Sequence, residues 1–287
     1  MEKSRLAVYA ELVKVRLNLL VLLTTLVGFY LGARGPINYL LLLHTILGTA
    51  LVASGAAALN QLLERDYDAR MPRTRNRPLP SGRLPPAAAM VFGGACACAG
   101  AVYLALAVNP ITSIIGTGSL LGYLFIYTPL KRVTWLNTAI GAIPGGLPPL
   151  MGWTAARGQL SEEGWILFVI LVFWQLPHFL AIAWIYRDDY AGAGFKMLSV
   201  VDPQGHRTAR QAVGCTLGLL LVSLCPYLFH LTGPLYLTGA LVFGAVFLWA
   251  AGRFARQLTV TRARQLFLVS ILYLPLLLAV MVVDKMK

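Results

Sequence analysis

Long apolar runs with almost no charged residues dominate this chain and limit what it can fold into. The hydrocarbon core of a bilayer is about 30 Å thick and needs about 20 apolar residues per helix. Nine stretches meet or nearly meet that length: 17–33, 39–59, 87–108, 111–130, 135–153, 164–186, 212–231, 235–252 and 266–283. We therefore predict an all-α polytopic membrane protein with nine transmembrane helices, built as one domain over residues 1–287.

The composition argues against the common soluble classes. Hydrophobic residues make up 58% of the 287 residues and charged residues only 12%, whereas globular domains are about a quarter charged. A soluble enzyme, a disordered chain and a nucleic-acid-binding protein are all disfavoured. The four cysteines lie inside apolar runs, where thiols act as small hydrophobic side chains and do not form a disulfide framework.

The basic residues predict the orientation of the chain in a membrane. The net charge is +13, and lysine and arginine accumulate in cytoplasmic loops of membrane proteins. With the N-terminus in the cytoplasm, 20 of the 24 basic residues fall on the cytoplasmic side; the four outside are Arg34, Arg157, Lys285 and Lys287. We predict a multi-pass protein of the cell (inner) membrane, with the long loops 61–86 and 187–211 in the cytoplasm.

The fifth apolar stretch is interrupted by prolines. Pro144, Pro148 and Pro149 lie within a few residues of one another near its middle. Proline removes a backbone donor, and broken helices at membrane depth are tolerated where they are buried or line a cavity. We therefore predict that this irregular span borders the functional site.

The first long loop opens with a row of oxygen-bearing side chains. If the second helix continues to Met71, before Pro72, then Asn60, Glu64 and Asp68 are spaced i, i+4, i+8 and share one helix face. They then follow one another at about 6 Å along the axis. Carboxylate and amide oxygens suit Mg²⁺, which binds one or two carboxylates together with waters and substrate phosphates.

Arginines follow these acids directly. The guanidinium groups of Arg73, Arg75 and Arg77 are suited to bind phosphate oxygens. Metal-binding acids followed by arginines fit an anionic diphosphate, which the carboxylates alone would repel. The alternative is a solvated surface that attracts anionic lipid headgroups. Three acids within residues 64–68 are unusual beside so many arginines, and they favour a binding site.

The second long loop carries a further acidic pair. Asp188 and Asp189 follow the sixth apolar stretch on the side that also carries Glu64 and Asp68. Two facing carboxylate clusters can hold two Mg²⁺ ions on one diphosphate. Termination of a helix by an exposed Asp-Asp turn is the alternative, and the first cluster favours a second metal site.

Two further groups of side chains are candidates for the substrate. Tyr123, Tyr127 and Lys131 are spaced i, i+4, i+8 on the fourth helix; they are either interface anchors or, with Arg132, part of the phosphate site. His178 lies within the sixth apolar stretch, about 15 Å deeper than Asp188. A histidine at that depth either bonds a carbonyl freed by the preceding proline or serves a functional site, for example as a metal ligand.

These residues resemble the motifs of the UbiA superfamily of intramembrane prenyltransferases. Asn60, Glu64 and Asp68 are similar to its N-x-x-x-D-x-x-x-D motif, and the likeness runs from about residue 10 to the end. Several strings resemble the heme O synthase branch. These are Asp66-Tyr-Asp68, Met71-Pro-Arg73-Thr-Arg75-Asn-Arg77-Pro-Leu79, Tyr127-Thr-Pro-Leu-Lys131-Arg132, Trp135-Leu-Asn137, Pro144-Gly-Gly-Leu-Pro-Pro149-Met-Gly-Trp153, Trp174-Gln-Leu-Pro177-His178-Phe and Arg187-Asp188-Asp189-Tyr190.

The resemblance implies a nine-helix bundle around a central cavity and a Mg²⁺-dependent reaction. That reaction transfers the farnesyl group of farnesyl diphosphate to a vinyl group of heme B, which is a substrate and not a cofactor. It also implies membrane lipid as surroundings, and heme A synthase or a terminal oxidase as assembly partners. The implied catalytic residues are Asn60, Glu64, Asp68, Arg73, Arg77 and Lys131. The implied substrate-binding residues are Tyr123, Tyr127, Arg132, Asn137, Trp174, His178 and Arg187. The implied metal ligands are Asn60, Glu64, Asp68, Asp188 and Asp189.

Two positions depart from the family pattern. Glu64 stands where the first aspartate is expected, and Asp188 and Asp189 are adjacent where quinone-making relatives have a spaced pair. The competing hypotheses are a related prenyltransferase with another acceptor (a quinone precursor, a chlorophyllide or a lipid) and a transporter or channel for an anion. A transporter requires a polar path, yet charges inside the apolar stretches are nearly absent.

Overall fold

The computed structural model describes residues 4–286, so Lys3 and Lys287, which we assigned to opposite sides of the membrane, lie outside the described residues. Within that range the chain is built from helices, one of them a π-helix. They are α1 (Arg5–Leu12), α2 (Val15–Gly32), α3 (Tyr39–Asp68), α4 (Pro86–Ala107), α5 (Pro110–Leu121), the π-helical segment Gly122–Tyr127, α6 (Thr128–Leu130), α7 (Asn137–Arg157), α8 (Glu162–Ile185), α9 (Arg187–Gly192), α10 (Leu198–Val201), α11 (His206–Val222), α12 (Cys225–Leu228), α13 (Pro234–Arg256) and α14 (Val260–Val283).

The long helices confirm the all-α membrane fold. Eight spans among the described residues are long and apolar enough to cross a bilayer. The fifth predicted span is α7, which has 21 residues, a length of about 32 Å. It is not among the eight spans selected for length and hydropathy, and 14 of its residues are buried against other helices. The chain is therefore a multi-pass membrane protein in which α7 lies inside the bundle.

The prolines that make this span irregular in sequence do not break the helix, because α7 runs without interruption through Pro144, Pro148 and Pro149. Pro148 lacks the N–H that would bond the carbonyl of Pro144. The hydroxyl of Ser119, on α5, donates a hydrogen bond of 2.8 Å to that carbonyl instead. A side chain of a neighbouring helix thus replaces the missing backbone bond, as tolerance of proline in membrane helices requires.

Small residues bring α2 and α7 into close contact. A methyl group on Gly28 would overlap the carbonyl of Pro149, and one on Gly152 would overlap the carbonyl of Thr25. Lipid chains are as apolar as leucine, so membrane helices associate through close packing of small residues. These glycines therefore set the approach of α2 to the buried helix.

The last helix returns to the first long one. The ammonium group of Lys285, just beyond α14, donates to the carbonyls of Tyr30 and Ala33 at 2.7 and 2.8 Å. The last carbonyls of a helix lack partners within that helix, so this lysine caps the end of α2. The contact closes the bundle at the end farthest from Asp68.

The end of the bundle that carries Asp68 is organised by the segment after α3. The helix ends at Asp68, three residues before the predicted Met71. The hydroxyl of Thr74 donates to the Asp68 carbonyl at 2.9 Å, and the Met71 amide donates to the same carbonyl at 3.3 Å. The chain therefore turns back over the helix end and brings the following arginines towards it.

Candidate active site

The face of α3 predicted from sequence lines a small cavity at this end of the bundle. Asn60, Glu64 and Asp68 are each at most 4% exposed and lie on one wall of a cavity of about 90 Å³. The i, i+4, i+8 spacing within one continuous helix aligns them. The cavity is lined by Lys14, Asn60, Glu64, Asp68, Met71, Arg73, Arg77, Tyr123, Tyr127, Lys131, Tyr190, Phe195 and Met197.

Each carboxylate in the cavity is paired with a cation from another segment. The ammonium group of Lys131 lies 2.7 Å from Glu64 Oε1, and the guanidinium group of Arg77 lies 2.7 Å from Asp68 Oδ2. Both carboxylates are almost fully buried, and an unpaired buried charge is costly. The two pairs therefore place a compensating cation beside each buried carboxylate.

Asn60 is held from two sides. The ammonium group of Lys14 donates to Asn60 Oδ1 at 2.9 Å, and Asn60 Nδ2 donates to the hydroxyl of Thr128 at 3.1 Å. With its Nδ2 donor bonded to Thr128, Asn60 turns its oxygen towards the cavity. The amide oxygen, and not the nitrogen, can therefore bind a metal cation or accept a hydrogen bond from a lysine.

Lys14 reaches the cavity because the chain changes direction there. Lys14 separates α1 from α2 and adopts φ 52° and ψ 56°, a left-handed conformation that costs a non-glycine residue about 1–2 kcal/mol. Burial, reinforced by the charge of Arg77, lowers the pKa of Lys14 to about 7. An anion in the cavity would therefore stabilise the charged form of this lysine.

Lys131 behaves differently, although it is also buried. Burial alone would lower its pKa, but the adjacent Glu64 carboxylate outweighs burial and raises the pKa of Lys131. Its ammonium group also lies 4.5 Å from the ring centre of Tyr127, and the rings of Tyr127 and Tyr123 stack at 5.6 Å. The cavity thus has a permanently charged lysine beside an aromatic wall.

The aromatic wall lies on the π-helical segment Gly122–Tyr127. Both the amide and the hydroxyl of Thr128 donate to the Tyr123 carbonyl. Wide turns of this kind are frequent at functional sites. This one places two tyrosine rings and Thr128 around the α3 face.

Arg73 lies at the mouth of the cavity. Its guanidinium group donates to the hydroxyl of Tyr190 at 3.2 Å and lies 4.9 Å from the ring centre of Tyr186. The side chain is exposed to solvent. Arg73 therefore adds positive charge where a ligand enters.

The charges and donors of the cavity fit a metal–diphosphate ligand. Four cations (Lys14, Arg73, Arg77 and Lys131) line it against two carboxylates, Glu64 and Asp68. Two carboxylate groups and one amide oxygen match the donors that Mg²⁺ takes in proteins when phosphate oxygens complete its shell. The surplus of positive charge fits the anion, and the oxygens fit the metal.

The predicted second acidic cluster does not reach the cavity. Tyr186 breaks α8 from α9, and Asp188 is 97% exposed beside Arg187. Tyr190 of the same short helix lines the cavity; successive residues are about 100° apart on a helix, so Asp188 points away. Within residues 4–286 no three His, Cys, Asp or Glu side chains come together as metal ligands. The expected five-ligand set with Asp188 and Asp189 is therefore not assembled.

Three predicted substrate-binding residues also lie outside the cavity lining. Arg132 packs on the Tyr67 ring at 3.9 Å. Arg187 lies at 5.0 Å from the ring of Trp184. Asn137 is fully buried and donates to the Lys196 carbonyl at 3.1 Å, which ties α7 to the second long loop. Their contacts stabilise the loops around the cavity.

Trp174 and His178 lie elsewhere, where α8 faces α14. Trp174 Nε1 donates to the Ser270 carbonyl at 2.8 Å, and His178 Nδ1 lies 2.7 Å from Ser270 Oγ. The two rings stack with centres 5.0 Å apart. The predicted metal ligands on α3 and the pair Trp174 and His178 therefore belong to separate groups of side chains in the structure.

Sequence reasoning missed Thr128, which bonds Asn60, and five residues of the cavity lining: Lys14, Met71, Tyr190, Phe195 and Met197. Lys14 was counted only among the cytoplasmic charges. Its role depends on a left-handed residue between two helices, which no pattern in the sequence indicates. Tyr190 follows a break at Tyr186 that likewise depends on tertiary contacts.

Comparison with known proteins gives a consistent family assignment. The UbiA prenyltransferase family model matches residues 21–275. The chain is 49% identical to the protoheme IX farnesyltransferase of Solibacter usitatus, over 96% of this chain and 98% of that protein. It is 45% identical to the protoheme IX farnesyltransferase of Opitutus terrae, over 97% and 94%.

Solved structures show the same fold at low sequence identity. A structure of digeranylgeranylglyceryl phosphate synthase superposes with a TM-score of 0.82 at 18% identity, over 97% of this chain and 98% of that one. A UbiA homologue from Archaeoglobus fulgidus, bound to GPP and Mg²⁺, superposes with a TM-score of 0.69 at 15% identity, over 96% and 99%. Together with the family match and the full-length relatives, this shows that the chain belongs to the UbiA prenyltransferase family.

Proposed function

We propose that this protein transfers the farnesyl group of farnesyl diphosphate to a vinyl group of heme B, with Mg²⁺ as cofactor, to make heme O. The observation that carries the proposal is the cavity in which Asn60, Glu64 and Asp68 face a surplus of buried cations. Relatives at 45–49% identity, both named protoheme IX farnesyltransferase, support the choice of acceptor. A quinone precursor or a lipid is the alternative acceptor.

The ion pairs of the cavity exchange partners when the diphosphate binds. Lys131 and Arg77, which hold Glu64 and Asp68 in the structure, turn to the phosphate oxygens. The carboxylates and the Asn60 oxygen are then available to hold Mg²⁺. Such an exchange avoids leaving any buried charge unpaired at either stage.

The same side chains assist departure of the diphosphate. Mg²⁺ held by Asn60, Glu64 and Asp68 would supply Lewis-acid stabilisation of the charge that develops on the leaving group. Arg77, Lys131 and Lys14 add fixed positive charge in a buried site, where it acts more strongly than in water. Arg73 extends this field to the mouth of the cavity.

Bond changes in the reaction require no protein nucleophile. The C1–O bond of farnesyl diphosphate breaks, and its electron pair leaves with the diphosphate. The π electrons of the heme vinyl group form the new bond to C1, and the cation left beside the porphyrin takes up water and releases a proton. The stacked rings of Tyr123 and Tyr127 stabilise the allylic cation and exclude water until the bond has formed.

The acceptor end of the site is assigned to Trp174 and His178. Both lie within the bundle between α8 and α14, and the apolar side chains around them fit a large apolar acceptor. We also propose that the Asp68 end faces the cytoplasm, since most basic residues lie at that end. Heme A synthase or a terminal oxidase would then take the product within the same membrane.

The test is a product assay on the purified protein in lipid nanodiscs. Heme B, farnesyl diphosphate and Mg²⁺ are supplied, and the product is identified by mass spectrometry as heme carrying one farnesyl and one hydroxyl group. We expect this product from the wild type, and a loss of at least about 100-fold in Asp68→Asn. Asp66→Asn is the matched control, because Asp66 is 73% exposed and pairs with the neighbouring Arg65. Farnesylation of a quinone precursor in place of heme would replace the proposed acceptor.

A further inference from the structure

Ser270 of α14 contacts both aromatic residues that we assign to the acceptor. It is fully buried, its carbonyl accepts the indole N–H of Trp174 at 2.8 Å, and its hydroxyl lies 2.7 Å from His178 Nδ1. The His178 ring also lies 5.0 Å from the ring centres of Trp174 and Phe267, at angles of 25° and 32°. These contacts fix the position and the plane of the histidine ring.

The Ser270 hydroxyl also decides which nitrogen of His178 carries the proton. Ser270 Oγ lies 2.6 Å from the Phe267 carbonyl, and a carbonyl can only accept. The single hydroxyl proton is therefore used there, and Oγ must accept a hydrogen bond from His178. Nδ1 is thus the protonated nitrogen of the ring.

This tautomer leaves the other nitrogen ready to bind a metal. A neutral imidazole has one N–H, so Nε2 carries a lone pair, and a neutral ring is favoured inside a membrane-spanning helix. Nε2 has no hydrogen-bond partner among the described residues, and it is not one of the buried polar atoms without a partner. His178 is half-buried, and Nε2 is therefore free to accept a metal bond.

We infer that Ser270 is a positioning residue, which holds His178 in the Nδ1–H form so that Nε2 binds the iron of the acceptor heme. Histidine ligands of metals commonly donate their second N–H to a fixed acceptor, which sets the tautomer and makes the ligand more basic. Here the acceptor is a serine hydroxyl anchored to the helix backbone. The inference rests on the proposed function, because it takes heme as the acceptor.

The test is a heme B titration in nanodiscs without farnesyl diphosphate, followed by visible absorption and by EPR of the ferric iron. We expect a nitrogen-ligand spectrum for the wild type and its loss in His178→Ala, with recovery on addition of free imidazole. Ser270→Ala should weaken heme binding about 10- to 100-fold. Ser270→Thr retains a hydroxyl and should keep the wild-type spectrum and affinity.

A matched control separates positioning from general damage to the bundle. Ser223→Ala also removes a fully buried serine hydroxyl, one that pairs with Tyr273 at 2.9 Å, and it should bind heme as the wild type does. Thermal melting of every variant shows whether it is folded.

Three results would overturn the inference. In the first, folded Ser270→Ala has the wild-type spectrum and affinity. In the second, Ser270→Thr is as impaired as Ser270→Ala at equal melting temperature. In the third, the wild type makes farnesylated heme without a nitrogen ligand on the iron. That result would support the proposed function and reject the role of Ser270 and His178. A wild-type protein that neither binds nor farnesylates heme contradicts both.

Discussion

Lys131 Nζ and Glu64 Oε1 lie 2.7 Å apart in a pair that is almost entirely buried. The pair joins the end of α3 to the end of α6, and it keeps a candidate metal ligand ionised before any ligand arrives. The arrangement is balanced in charge only while both partners are present. Removing one partner should therefore affect stability and catalysis in different, measurable ways.

Lys131→Met leaves Glu64 buried without its cation. We expect a loss of about 3 kcal/mol in the free energy of unfolding and at least about 100-fold slower farnesyl transfer. Thermal melting and the product assay measure the two effects. Lys196→Met is the control, since Lys196 is exposed in the neighbouring loop, and it should change neither. Wild-type transfer by Lys131→Met would remove this lysine from the site.

Arg77→Lys tests whether the guanidinium fork is needed. Arg77 Nη1 donates a hydrogen bond to Asp68 Oδ2 at 2.7 Å. The other N–H groups of the guanidinium remain available for phosphate oxygens. Lysine is a point charge and does not reproduce this geometry. We expect the KM for farnesyl diphosphate to rise about 10-fold. Arg75→Lys, at an exposed side chain outside the cavity lining, should leave KM unchanged; an equal rise in both variants would contradict the pairing.

Gly152→Ala tests the close contact of α2 with α7. A methyl group at Gly152 would overlap the Thr25 carbonyl, and overpacking of this kind costs about 1–3 kcal/mol. We expect a lower melting temperature in detergent. Gly118→Ala, in a helix where nothing lies within 4 Å of the added carbon, should melt like the wild type. Equal melting temperatures for the wild type, Gly152→Ala and Gly118→Ala would show that α2 and α7 can move apart without loss of stability.

Lys285→Met removes the cap on the end of α2. In this variant the carbonyls of Tyr30 and Ala33 lose a charged donor. Burial lowers the pKa of Lys285, which means that the surroundings disfavour the charged ammonium group. We expect a loss of about 2 kcal/mol in the free energy of unfolding, with no change in the KM for farnesyl diphosphate. Arg34→Met removes an exposed charge at the same end and should have no effect on melting.

The membrane fold could be predicted because each apolar run is long enough to cross a bilayer by itself. The continuity of α7 could not, because it depends on a hydroxyl from Ser119 that replaces the backbone donor missing at Pro148. The prolines in the sequence show which backbone N–H donors are missing. Whether a side chain of a neighbouring helix replaces them cannot be read from that segment.

The candidate site was predictable where it depends on one helix. Asn60, Glu64 and Asp68 share a face because helical periodicity places them there. The partners of these side chains come from three other segments: Lys14, the chain around Arg77, and Thr128 to Lys131. The left-handed Lys14 and the break at Tyr186 have no pattern of their own. The same break turns Asp188 away, so adjacent aspartates alone did not specify a second metal site.

The most direct test of the central claim is EPR titration of Mn²⁺, as a paramagnetic replacement for Mg²⁺, in the presence of farnesyl diphosphate. If Asn60, Glu64 and Asp68 hold the metal, the wild type binds Mn²⁺ saturably only with the diphosphate, and Glu64→Gln and Asp68→Asn lose at least about 10-fold in affinity. Asp66→Asn and Asp188→Asn bind as the wild type does. Unchanged Mn²⁺ binding by Glu64→Gln and Asp68→Asn would contradict the account.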